Sequence, residues 1–371
     1  MSGRPMRIAM IGQKGLPATY GGIERHVEEI GRRIAHNGHR VDVFCRFHYT
    51  TSGGPYHAMH LLRRPSLRTK HFDTATHVSW CTAEAMLRRY DIVHFHALGP
   101  SLFAGLPRIT GSRTVVTVHG LDWQRQKWGK LAAWFLRQCE GPAAHFPNRT
   151  IVVSKTLREH FRSHHHCDAV FIPNGTNLLP RRPPKKILQL GLTPGKYVLF
   201  VGRLVPEKGV HFLCEAFQRI PSDMKLALAG GQSFSEDYVR EIKRYESDRI
   251  RLLDYVFGEG LEELWSNAYM VVQPSTVEGL SIALLEAMSY GRCVLLSDIP
   301  ENMEVAEDCA VSFKSQDVDD LTAKLSRLMN DPAEVRAYEA KARDHILKHY
   351  SWDTVAQNTE TLYRELVASR R

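Results

Sequence analysis

Two carboxylates and two cations are the residues of this chain best placed, by type and spacing, to do chemistry. Glu278 and Glu286 bracket seven residues in Glu278-Gly279-Leu280-Ser281-Ile282-Ala283-Leu284-Leu285-Glu286, and upstream runs Gly202-Arg203-Leu204-Val205-Pro206-Glu207-Lys208-Gly209. An Arg and a Lys one short loop apart offer a planar fork and a point charge to one anion, and Gly202 and Gly209 permit close backbone approach. A diphosphate leaving group gathers negative charge as the bond to it breaks, so fixed cations or helix N-termini beside it favour that reaction. Taken alone, an Arg and a Lys in a loop are explained as well by a solvated surface. The sequence predicts a helix from about Gly279-Leu280, on which eight residues at about 100° each bring both carboxylates to nearly one face. One would then address the hydroxyls of a sugar and the other those of a ribose, with the amides of Gly279, Leu280 and Ser281 adding an anion site at the helix start. Paired glutamates at this spacing are common on solvent faces, but Glu286 lies among Ile282, Leu284, Leu285, Ala287 and Met288, which suits such a face badly.

In the first half of the chain His119 follows Thr114–Val118 and precedes Gly120, which delivers the ring to a strand's carboxyl end. There it could bond a sugar or phosphate, or be a satisfied structural histidine. Gly12-Gln13-Lys14-Gly15-Leu16-Pro17 and Tyr20-Gly21-Gly22-Ile23-Glu24 form a loop into the first helix, apt for backbone contact with phosphate or acceptor. The loop has neither the G-x-G-x-x-G of dinucleotide folds nor the G-K-[ST] of a P-loop. Asp317-Val318-Asp319-Asp320 contains an Asp-x-Asp, yet its place before a helix favours capping over metal binding. His164-His165-His166 and His94-Phe95-His96 show no partner set along the chain, which favours incidental histidines over metal ligands. Trp123-Gln124-Arg125-Gln126-Lys127-Trp128-Gly129-Lys130 interleaves aromatic and basic residues ahead of a helix through Arg137, suited equally to a membrane surface and to ordinary packing.

These residues need a scaffold, and the chain is long enough for two domains at 371 residues. Apolar runs at Arg7–Ile11, Arg40–Phe44, Ile92–Phe95, Thr114–Val118, Thr150–Val153 and Val170–Ile172 read as one set of strands. A second set reads at Tyr197–Val201, Lys225–Ala229, Ile250–Leu253, Met270–Gln273, Cys293–Ser297 and Ala310–Phe313. Between the first two strands Ile23, Val27, Ile30 and Ile34 recur at helical spacing and Gly38 closes the helix. Strand, loop, helix and strand in that order imply a parallel sheet wound by crossover helices. Arg181-Arg182-Pro183-Pro184-Lys185-Lys186 favours an extended segment, and the domain boundary is expected near it. The expected architecture is α/β, two doubly wound domains over 1–178 and 187–350 facing across a cleft, with a final helix over 351–371 packing back on the first domain.

The net charge of +9 is uneven. Residues 1–180 hold 24 Lys+Arg against 11 Asp+Glu, a net of +13, whereas residues 181–371 carry a net of −4. A basic first half suits an anionic membrane surface or lipid diphosphate, or it is solvated surface of no particular use. Nucleic acid is not expected, since the basic residues spread over several elements without a binding motif. No apolar run approaches the ~18 residues of a membrane span, and Met1–Pro5 leads straight into a strand, so neither a spanning segment nor a secretory leader is expected. Seven scattered cysteines without a Cys-x-x-Cys read as reduced packing thiols of a cytoplasmic protein.

The glycine loop, His119, Pro173-Asn174-Gly175, Gly202-Arg203 with Glu207-Lys208-Gly209, the Glu278–Glu286 element and Tyr350-Ser351-Trp352 together resemble the family 4 retaining glycosyltransferases of GT-B fold. Gly15-Leu16-Pro17-Ala18-Thr19-Tyr20-Gly21-Gly22-Ile23-Glu24 is also similar to a bacterial subgroup that includes polysaccharide rhamnosyltransferases. The resemblance implies catalytic roles for His119, Arg203, Lys208 and Glu278, with Arg203 and Lys208 on the donor diphosphate, Glu278 on the sugar and Glu286 on the ribose. Gly21, Gly22, Gly202, Gly279, Leu280 and Ser281 would complete the donor site, and Tyr20, Glu24 and Trp123 would face the acceptor. It further implies a UDP-, dTDP- or GDP-linked sugar donor, a glycan or polyprenyl-diphosphate-linked acceptor, retention by front-face attack, and no cofactor or metal. A nucleotide-sugar epimerase and a non-catalytic sugar-nucleotide binding protein are the alternatives of other classes.

Overall fold

The computed structural model describes residues 4–19, 21–69, 72–126, 128–232 and 236–369. The chain forms two compact units, Met1–Gly175 with Trp352–Arg371, and Thr176–Ser351. In the first unit the strands are β1 (Arg7–Ile11), β2 (Arg40–Arg46), β3 (Gly54–Tyr56), β4 (Met59–Arg64), β5 (Ile92–His96), β6 (Arg113–Val118), β7 (Arg149–Val152) and β8 (Val170–Phe171). They lie in the order β3-β4-β2-β1-β5-β6-β7-β8, parallel throughout except for β3 against β4. β5 is buried along its whole length and β1 after its first residue, as in a parallel sheet covered on both faces. Neither β3 nor β4 was expected from the sequence, because Gly53-Gly54-Pro55 and Arg63-Arg64 carry the composition of loops. β3 is a three-residue edge, where a proline is tolerated.

The helix Gly22–His36 turns Val27, Ile30 and Ile34 into this core, and the final helix Trp352–Ala368 joins the same unit. Trp352, Val355, Leu362 and Tyr363 of that final helix are buried, each such side chain contributing roughly 1.5–3 kcal/mol. Arg33 Nε donates to Asp353 at 2.5 Å and Asn37 Nδ2 to Glu360 at 2.6 Å, which fixes the two helices in register.

The second unit holds β9 (Tyr197–Val201), β10 (Lys225–Ala229), β11 (Ile250–Leu252), β12 (Met270–Gln273), β13 (Val294–Ser297) and β14 (Val311–Phe313), all parallel, in the order β11-β10-β9-β12-β13-β14. Its core gathers Val198, Phe200, Leu213, Phe217, Leu228, Val272 and Leu295. The winding of the parallel strands reverses between β9 and β12 here and between β1 and β5 in the first unit. Crossovers diverge at such a reversal, so the loops at the strands' carboxyl ends leave room for a ligand.

From Asn177 to Lys185 the chain forms no helix or strand, but it is not loose, and Lys186, expected in the extended segment, instead opens the short helix Lys186–Gln189. Arg182 Nε donates to Glu262 at 2.6 Å, and Glu263 accepts the amides of Lys185 and Lys186 at 2.8 and 2.6 Å. All seven cysteines are free thiols, six of them buried. Among the described residues no helix is long and apolar enough to cross a membrane.

Candidate active site

In the second unit the loops on the two sides of the strand reversal carry the residues singled out by type. β9 ends at Val201 and is followed by Gly202, Arg203 and a short turn over Pro206–Lys208. Gly209 then takes φ +66°, and a Cβ there would lie 2.0 Å from the carbonyl oxygen of Pro274. Only glycine lets the first loop press so closely on the loop that leaves β12. That approach places Lys208 Nζ 2.5 Å from Glu278 Oε1, with the two side chains 14% and 10% exposed. Gln273, the last residue of β12, donates to the same Glu278 oxygen at 3.0 Å and to Ser275 and Ser281 at 2.9 and 3.2 Å. Burial pushes the Glu278 carboxyl upward, but the Lys208 charge and hydrogen bonds from Lys208, Ser275 and Gln273 outweigh it and hold the group below its ordinary range. The carboxylate is therefore ionised at neutral pH. Arg203 is half-buried in the same loop, five positions before Lys208.

The helix after β12 corrects one expectation. It spans Ile282–Ser289, not a run from Gly279, because the Ser281 side chain accepts the Leu284 amide and caps the helix there. Glu286 rides on that helix, half-buried, while Glu278, Gly279 and Leu280 belong to the preceding loop. The 100° arithmetic that put both carboxylates on one helix face therefore does not apply.

In the first unit His119 is one of four neighbouring imidazoles. Its Nε2 lies 3.2 Å from His96 Nδ1, and its ring meets that of His26 edge-on with centroids 4.7 Å apart. His26 Nδ1 donates to Asn174 Oδ1 at 2.9 Å, and His94 bonds the Tyr363 hydroxyl at 2.6 Å and that of Thr117 at 2.7 Å. Burial drives all four rings toward the neutral form, His26 to about 4 and the other three well below the usual histidine value, with neighbouring rings adding to the effect on His94, His96 and His119. Nitrogens of His26, His96 and His119 lie within 4.8 Å of one another, close enough to share a cation. The Gly12 loop is pressed against this cluster, since at φ +117° a Cβ on Gly12 would fall 2.4 Å from His96 O.

Other expected residues have local roles. Glu24 is buried and accepts the Lys14 amide at 2.8 Å, so its carboxylate closes the glycine loop rather than standing open to an acceptor. It also lies over Gly21, where a Cβ would meet it at 1.6 Å, while Gly22 is exposed. Tyr20 falls outside the described residues. Trp123 donates its indole N–H to Glu140 at 2.5 Å, and the Arg137 guanidinium sits 5.2 Å from its ring centroid. Asp317 accepts the amides of Asp319 and Asp320 at 3.1 and 3.0 Å, an N-cap.

Sequence alone gave no role to Gln273, Ser275 or His26, singled out Asn174 only within Pro173-Asn174-Gly175, and took His94 and His96 as incidental. A polar residue ending the buried run Met270-Val271-Val272 was the signal for Gln273. Two histidines alternating in a strand covered on both faces were the signal for His94 and His96. Gly230 was also passed over; a Cβ there would lie 1.7 Å from Gly202 O, so it lets the Arg203 loop sit down.

Residues 20–178 match the model of Glycosyltransferase Family 4, and residues 185–345 that of the glycosyl transferases group 1. The two matches together span most of the chain and make it a glycosyltransferase, a family 4 domain followed by a group 1 domain. This glycosyltransferase is 28% identical to alpha-maltose-1-phosphate synthase of Mycobacterium tuberculosis, across 98% of this chain and 100% of the relative. Sucrose-phosphate synthase from Thermosynechococcus elongatus superposes with a TM-score of 0.84 at 24% identity, covering 98% of this chain and 100% of that one. HepE of Anabaena in complex with UDP-glucose gives 0.80 at 19%, covering 96% and 99%. At such identities the likeness speaks for the fold, two parallel-sheet α/β domains of the GT-B type, as the sequence led one to expect.

Proposed function

We propose that this glycosyltransferase moves a hexose, with retention of configuration, from a nucleoside diphosphate sugar to a glycan or lipid-linked acceptor in cell-surface polysaccharide assembly. The observation that carries the reading is the Lys208–Glu278 pair beside Arg203 at the strand reversal of the second unit. As the bond between the anomeric carbon and the diphosphate oxygen breaks, charge develops on the phosphates, and Arg203 and Lys208 supply fixed positive charge there without a catalytic metal. Glu278 orients Lys208 and accepts from a sugar hydroxyl, while Glu286 is assigned to the ribose. The acceptor hydroxyl attacks from the face the diphosphate leaves, and its proton passes to the departing phosphate oxygen. His119, neutral at physiological pH, hydrogen-bonds the sugar near the reacting carbon.

UDP is the first nucleotide to try, because HepE is described in complex with UDP-glucose on the same fold; rhamnose is suggested by the Gly15–Glu24 stretch. The first unit, residues 1–178 in this reading, takes the acceptor and the second the nucleotide sugar. A peripheral membrane site is supported by the helix Lys130–Gln138, which buries none of its residues and exposes Leu131, Trp134 and Phe135 by 79, 60 and 48%. Lys130 and Arg137 flank that face, as on helices that lie at anionic lipid surfaces.

The test is to incubate the purified chain with UDP-, dTDP- and GDP-hexoses and a polyprenyl-diphosphate-linked glycan in anionic vesicles. The expected products are a lengthened glycan and free nucleoside diphosphate, with the protein sedimenting with the vesicles. Conversion of the sugar without acceptor would instead mark an epimerase, and retained transfer in Arg203→Ala/Lys208→Ala would refute the phosphate assignment. Transfer without co-sedimentation would remove only the membrane part.

A further inference from the structure

Glu140, His160 and His165 form a polar cluster in the first unit that the donor chemistry does not use. Glu140 opens the helix Glu140–His145 and is 3% exposed, while both histidines come from the last two turns of the helix Lys155–His165. Their Nε2 atoms lie 3.0 and 2.8 Å from the same carboxylate oxygen, Oε2, and the other oxygen accepts the Trp123 indole N–H. The three donor atoms all lie within 4.8 Å of one another. One buried carboxylate and two half-buried imidazoles converge on one point, with the imidazole side open enough for an ion to enter.

We propose that Glu140, His160 and His165 form a site for a divalent transition metal of the zinc class, separate from the donor site, and that Trp123 holds the carboxylate in place for it. Two neutral imidazoles and one carboxylate are a donor set zinc prefers, and a three-residue set leaves room for water. Metal–ligand bonds of about 2.0–2.1 Å in a tetrahedron put neighbouring ligand atoms roughly 3.3 Å apart, so the two spacings to Glu140 Oε2, 3.0 and 2.8 Å, need open by only a few tenths of an ångström. The Nε2 protons that now point at Glu140 would move to Nδ1 as the metal takes their place. Trp123 fixes the carboxylate through Oε1, the kind of outer partner that orients metal ligands. The consequence is mechanical: an ion would tie the helices that begin at Glu140 and end at His165 to the Trp123 turn, just ahead of the exposed helix Lys130–Gln138. His165 belongs to the His164-His165-His166 run whose partners were not visible along the chain, because Glu140 stands 25 positions upstream.

The experiment is titration calorimetry of the tag-free full-length protein, stripped with chelator, against ZnCl2, with MgCl2 as comparison. One Zn2+ per chain is expected, Mg2+ without effect, and a melting temperature raised by Zn2+. His160→Ala and His165→Ala, at partly exposed positions where folding survives, should each weaken Zn2+ binding by at least the ~10–100-fold that loss of a residue hydrogen-bonded to a ligand costs. Trp123→Phe should weaken it about tenfold. His164→Ala/His166→Ala, which alters only exposed histidines, should bind like the parent. No saturable Zn2+ binding, or Zn2+ binding kept in His160→Ala/His165→Ala, would overturn the site.

Discussion

The two units share one backbone device and differ in charge. In each, a glycine at positive φ, Gly12 in the first and Gly209 in the second, lets the loop after the first strand press against a neighbouring backbone carbonyl, that of His96 or of Pro274. In the second unit this contact holds an ion pair, Lys208 with Glu278, strengthened by Gln273. In the first it holds four imidazoles bonded to an amide, hydroxyls and one another. The topology thus decides where a site forms, and the side chains delivered there decide its charge. A carboxylate beside an ammonium stays ionised despite burial, whereas crowded histidines with only neutral partners shed their protons.

The comparison can be broken most severely at the ion pair. Lys208→Ala should reduce transfer about 10²–10³-fold, as loss of one transition-state donor does. It should also lower stability by about 3 kcal/mol, because a carboxylate left without its cation is costly to bury. Replacing both, Lys208→Ala/Glu278→Gln, should restore most of the stability but none of the transfer. A double variant that melts as low as the single one would show the two side chains are not coupled.

Acid should separate the units next. The folded chain disfavours protonated His26, whose value is lowered from 6.5 to about 4, so the stability tied to its neutral form is full above pH 6.5 and is lost as pH falls toward 4. For His26 alone that amounts to roughly 3 kcal/mol, and the other three rings act in the same direction. Glu278 is shifted down from 4.5, so its contribution persists until pH falls below that value. At pH 5, hydrogen exchange corrected for intrinsic rate should show the first unit loosened and the second still protected. Equal protection in both would contradict the difference.

The smallest effect sharpens the picture of the neutral cluster. Tyr363→Phe removes the hydroxyl that bonds His94 at 2.6 Å and should cost about 1 kcal/mol, a fall of 2–4 °C in melting temperature. An unchanged melting temperature would mean that the Tyr363–His94 bond adds nothing to the hold of the final helix.

Much of this was legible in the residues themselves. The strands Arg7–Ile11, Tyr197–Val201, Lys225–Ala229 and Met270–Gln273 have the bounds that apolar β-rich runs predict, and the order of strands and helices implied parallel sheets. Arg203, Lys208, Glu278 and His119 stood out by type next to glycines at strand ends. Those features are local: a strand's burial, a loop's need for positive φ and a cap's hydrogen bond are all written within a few neighbouring residues. Tertiary structure alone decided that Lys208 meets Glu278 across 70 positions, that His26 finds Asn174 across 148, and that Glu140 gathers His160 and His165. It also placed the helix start at Ile282, since Ser281 receives Gln273 from the end of β12 while capping Leu284. Such pairings depend on which strands lie side by side and how deeply each group is buried. Spacing along a chain carries no measure of either.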